Sequence, residues 1–135
     1  MTLRTPQDTQ VRNAGDLQEL WRSLMGDGGF SRQSIWLLFL TADGRPSPVL
    51  VPIDDIPSRP VPLFLDNLRY IVGELVGTHD VASVAVLLSR PGHTTMTESD
   101  RAWARALGQV SSEWPTFLAV GDSVQMFAPD DVITS

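Results

Sequence analysis

The chain contains no cysteine and no lysine. Without a thiol there is no disulfide, no thiolate metal site and no cysteine nucleophile. Because all ten basic residues are arginine, the phosphate-cradling lysine of a P-loop and Schiff-base chemistry are excluded too. Positive charge is scarce: sixteen acidic residues against ten basic ones leave a net charge of −6. That balance repels the phosphates whose neutralisation drives nucleic-acid binding, so no nucleic-acid partner is expected. No run of about eighteen apolar residues is present to cross a bilayer. The opening "MTLRTPQDTQVRNAGD" has neither the basic start nor the apolar block of a secretion signal. The expectation is a cytoplasmic protein without a membrane partner. Arginine in place of lysine, with much Ala, Gly and Pro, fits a GC-rich bacterial genome.

What is present is enough for one buried core: 135 residues, 42% of them hydrophobic. Residues 1–15 are polar and without period, which predicts a flexible arm, and residues 16–135 are expected to form a single domain. Asp16 and Glu19 have capping spacing, and Leu17, Leu20, Trp21, Leu24 and Met25 recur at helical intervals, which predicts a helix over about 16–26 ended by Gly26. "SIWLLFLT" reads as a buried strand, Asp43-Gly44 as a hairpin turn, and "PSPVLVPI" as a return strand whose prolines place it at an edge. A stiff connector leads to a second helical stripe of Phe64, Leu68, Ile71, Val72, Leu75 and Val76. "ASVAVLLS" is a second buried strand. Thr97 and Asp100 then have the spacing of a helix cap, with Trp103, Ala106, Leu107 and Val110 as the buried face. "TFLAV" and "VQMF" around "GDS" close the chain as a hairpin. The predicted order is α, β, β, α, β, α, β, β.

Three stretches carry a family likeness: "IWLLFLTADGR", "VAVLLSRPGHTTMTESD" and "FLAVGDSVQMF". From residue 34 to 127 the chain resembles the JAB/MPN metalloprotease-like domain, most closely its bacterial RadC-type branch. The resemblance implies an α/β fold with a mixed, largely antiparallel sheet flanked by helices, to which the N-terminal helix would be an addition. It also implies where a metal site would stand. The family motif is two histidines separated by one residue, then proline, then Ser-x-x-Asp a short distance on. The histidines and the aspartate hold one zinc ion, and a glutamate from an earlier strand takes a proton from the zinc-bound water. Aligned on Pro91, the histidine places fall on Leu88 and Arg90, the serine on Thr97 and the aspartate on Asp100. Near the first strand "SRQSIW" offers no acid. Two ligands and the base are missing together, so the resemblance implies a degenerate site with no metal, no cofactor and no catalysis. Domains of this class without metal ligands serve in assembly, which points to a protein-binding or scaffold module with an unidentified protein partner or a second copy as a homodimer.

The residues allow other readings. Arg90, His93, Thr94, Thr95, Thr97 and Ser99 surround a helix N-terminus, where an anion could bridge the guanidinium and free backbone N–H groups, as in a regulatory ligand-binding domain. The competing expectation is an internal ion pair between Arg90 and Asp100. Ser89 or Ser99 with His93 and Asp100 supplies the residue types of a metal-independent hydrolase, although no nucleophile-elbow pattern surrounds either serine. His79 is read as favourable to a helix C-terminus, and Asp54-Asp55 and Asp130-Asp131 as solvated acids, because neither pair has calcium-loop spacing. Trp21, Trp36 and Trp103 are read as core, and Trp114 beside Pro115 as a surface residue.

Overall fold

Unbroken apolar runs such as "SIWLLFL" and "SVAVLLS" form strands that are buried on both faces. The structure is a computed structural model that describes residues 10–25, 30, 32–77, 81–111 and 113–127. Along the chain come α1 (Ala14–Met25), β1 (Ser34–Leu40), β2 (Pro46–Asp54), α2 (Pro62–Leu75), β3 (Ser83–Ser89), α3 (Glu98–Val110), β4 (Phe117–Val120) and β5 (Ser123–Met126). The strands make one mixed sheet in the order β2-β1-β3-β4-β5. All neighbours are antiparallel except β3 and β4, which run parallel because α3 crosses over between them.

Alternation along each strand divides the core. Ile35, Leu37 and Phe39 of β1, with Val84, Val86 and Leu88 of β3, pack with Leu68 and Val72 of α2 and Trp103 and Leu107 of α3. Leu38 and Leu40, with Ala85 and Leu87, face the other way and pack with Leu17, Leu20 and Trp21 of α1. One face therefore carries two helices and the other carries one. The N-terminal helix is no loose appendage, since it covers half the core.

Several expectations are corrected. The predicted arm is docked from residue 10 onward: Val11 is buried, and its N–H donates to the Gly44 carbonyl at 2.7 Å. Gly44 has φ +82°, and an added Cβ would lie 2.2 Å from the Val11 carbonyl oxygen, so the β1–β2 turn needs glycine for both conformation and space. Helix α1 is capped three residues earlier than predicted. Asn13 Oδ1 accepts from the Asp16 N–H at 2.9 Å, and Asp16 Oδ2 accepts from the Arg12 N–H at 3.0 Å. The spacing recurs at 13/16 and 16/19, and Glu19 is left to pair with Arg22. Ile71 lies on the surface, off the stripe formed by Leu68 and Val72. In α3 the small buried residue is Ala104 rather than Ala106.

The remaining tryptophans divide differently from expectation. Trp36 is half-buried, and its indole N–H donates to Ser89 Oγ at 2.8 Å. Trp114 is also half-buried and donates to Ser83 Oγ at 3.0 Å. Strand β2 does lie at the sheet edge, where prolines are tolerated. Gly26, His79 and Asp130-Asp131 lie outside the described residues.

Candidate functional site

Strand β3 ends at Ser89, and the Arg90 N–H continues the pairing for one step by donating to the Ala119 carbonyl at 3.2 Å. The chain then turns at Pro91-Gly92, where Gly92 has φ +106°. It runs out to Thr97 and enters α3. Thr97 Oγ1 accepts from the Asp100 N–H at 3.1 Å, while Asp100 Oδ2 accepts from the Thr97 N–H at 2.8 Å. That reciprocal capping box fixes where the carboxylate sits.

The loop closes around the Arg90 side chain. Its Nε donates to Asp100 Oδ1 at 2.8 Å and its Nη2 to Asp100 Oδ2 at 2.7 Å, a bidentate pair. Nη1 donates to the carbonyls of Pro91 and His93 at 3.1 and 2.9 Å, and Nη2 also donates to that of Thr95 at 3.0 Å. A guanidinium has five N–H donors, and here five acceptors meet them. The arginine side chain is 12% exposed and the aspartate 0%. A buried carboxylate without a cation would be strongly destabilising, and this one is matched in charge, geometry and donor count.

This arrangement decides what the predicted site residues can do chemically. Arg90, Thr97 and Asp100 are brought together, and the backbone carbonyls of His93 and Thr95 join them. Leu88 is fully buried in the core. The side chains of His93, Thr94 and Thr95 are exposed, and the Thr94 carbonyl accepts from Gln125 Nε2 at 2.8 Å. Ser99 Oγ donates to the Ser58 carbonyl, and Ser89 Oγ accepts from Trp36. Asp100 has both oxygens engaged by Arg90 and is not free to orient His93, so these groups do not form a nucleophilic triad. The anion expected at the tip of α3 is supplied from within, by the Asp100 carboxylate itself.

A zinc ion of the kind held by metal-binding JAB/MPN domains does not fit these residues. Leu88 is an apolar core side chain, Arg90 is a permanent cation, and the Asp100 carboxylate is held by that cation. Among the described residues no group of three His, Asp or Glu side chains is placed to hold a metal ion. No helix among them is long and apolar enough to cross a membrane.

Two further features escaped the sequence reading. Helix α2 leaves Leu63 and Tyr70 on the surface, each 69% exposed, together with Val61 and Ile71. At the other end of β3 from Arg90, a cavity of about 260 Å³ opens between α2 and α3. The signal for the cavity was Gly73, a glycine inside the helical stripe with no turn to make. No protein-family model, curated protein or solved structure matches this chain.

Proposed function

We propose that the chain is a catalytically inactive JAB/MPN-like domain of RadC type that acts as a protein-binding or scaffold module. The observation that carries this reading is the Arg90–Asp100 pair at the junction of β3 and α3. Aligned on Pro91, the family's second histidine falls on Arg90 and its aspartate ligand on Asp100. A guanidinium now gives that carboxylate the positive charge which the metal gives it in the family. The α, β, β, α, β, α, β, β order and the mixed sheet agree with such a domain. The binding role draws support from Leu63, Tyr70 and Ile71 on α2, since exposed aromatic and aliphatic side chains are common interface anchors.

The test joins the two halves of the reading. Tagged wild type and a Leu63→Asp/Tyr70→Asp variant are used as baits in native extract, and both are weighed by light scattering. A stoichiometric partner kept by wild type and lost by the variant supports the reading. A concentration-dependent dimer lost by the variant makes the partner a second copy. Equal capture by both proteins, with both monomeric, overturns α2 as the binding face. Hydrolysis of a peptide or small ester by wild type that survives in Leu63→Asp/Tyr70→Asp and is lost in His93→Ala would instead favour the hydrolase reading.

A further inference from the structure

The cavity beyond the N-terminal end of β3 lies between the second half of α2 and the end of α3. Its wall is apolar where Val72 of α2, Val84 of β3 and Val110 of α3 converge. Its volume of about 260 Å³ falls just below the range of pockets for drug-sized ligands, which suits a molecule the size of an amino acid.

Charge defines the ligand further. Arg69 and Glu113 both line the cavity, yet they form no ion pair with each other. Arg69 Nη2 is shared with Asp66 at 3.1 Å, and its Nη1 has no acceptor among the described residues. The Glu113 carboxylate likewise has no donor among them. Ser83 Oγ accepts from the Trp114 indole, which leaves its own O–H free to donate. One cavity thus presents a free cationic edge, a free carboxylate and an apolar wall.

Gly73 is the second, independent observation. It sits in the interior of α2 and lines the cavity, where glycine is less favourable than alanine. Neither conformation nor packing asks for it: its φ is ordinary, and an added Cβ would meet no atom within 4 Å. A side chain there would project into open space beside the cavity.

We infer that this cavity binds a small apolar α-amino acid, its carboxylate on Arg69 and Ser83, its ammonium on Glu113 and its side chain on the valine wall. The experiment is a heteronuclear NMR titration of the full chain with L-valine, L-leucine, L-isoleucine and L-methionine, each to about 10 mM. The expected result is saturable shifts, for at least one of the four, confined to residues 69–76, 83–84, 110–111 and 113 and to the Trp114 indole N–H. 4-Methylpentanoate, which lacks the ammonium, and 3-methylbutylamine, which lacks the carboxylate, should bind at least about tenfold more weakly than L-leucine. Glu113→Gln should weaken binding by a similar factor. Gly73→Leu should abolish it while the rest of the spectrum stays native, since leucine is a good helix former and its Cβ meets free space. The inference is overturned if none of the four amino acids gives saturable shifts, if the shifts fall elsewhere, if either analogue binds equally well, or if Gly73→Leu binds like wild type.

Discussion

The guanidinium of Arg90 lies edge to edge with the carboxylate of Asp100, two parallel hydrogen bonds of 2.8 and 2.7 Å, in a place where the acid has no contact with solvent. Removing one partner strands the other. Arg90→Met should therefore lose about 3–5 kcal/mol in urea denaturation, and Arg90→Lys should recover little, because an ammonium cannot make the bidentate bond. Arg90→Met combined with Asp100→Leu should lose no more than either single change. Additive losses in that cycle would show that the two side chains are not coupled.

Thr97 holds the same carboxylate from the backbone side. Thr97→Ala should lower stability by about 1 kcal/mol through loss of the cap, and Thr97→Ser should restore it. Thermal unfolding followed by circular dichroism reads both.

The docking of Val11 over the first hairpin makes Gly44 intolerant of any side chain. Gly44→Ala combines a left-handed φ with a Cβ placed against a backbone oxygen, and a loss of at least about 2 kcal/mol is expected. A neutral result would mean that residues 10 and 11 do not rest on the turn. Deleting residues 1–11 should also destabilise the chain, by exposing the surface that Val11 covers.

In the same turn, the Thr41 hydroxyl, then the backbone of Asp43 itself and Arg45, stabilise the charged form of Asp43 and outweigh its slight desolvation, which holds its carboxyl below the ordinary aspartate value of 3.8. The stabilisation this brings is present above the unfolded-state pKa and is lost as pH falls through the lower, folded one. Carboxyl NMR titration should give a midpoint below 3.8 in wild type and a higher one in Thr41→Val. Equal midpoints would remove the hydroxyl as the cause.

Strands β1 and β3 were legible because both of their faces are buried, so composition alone reports them. The cap of α3 was read at the right pair, Thr97 and Asp100, although Thr95 and Glu98 have the same spacing. The cap of α1 was not, since 13/16 and 16/19 both satisfy the spacing, and the docking of Val11, a long-range contact, favours the first. The surface position of Ile71 was hidden for a similar reason: an apolar stripe broader than the contact it makes looks the same in sequence as a wholly buried one. Around the candidate site, the types Arg, Thr and Asp were visible. The engagement of all five guanidinium donors depends on where three loop carbonyls point, and no residue pattern reports that.

The proposed reading, a degenerate JAB/MPN-like domain in which Arg90 takes the place of a metal ion beside Asp100, makes a direct prediction about metal content. Untagged wild type and Leu88→His/Arg90→His, each verified as folded by circular dichroism, are dialysed against zinc and then buffer and analysed for metal. The expected result is no stoichiometric zinc in wild type, and uptake of about one zinc ion per chain by the variant, where two imidazoles join Asp100. About one zinc ion per chain in wild type would contradict it.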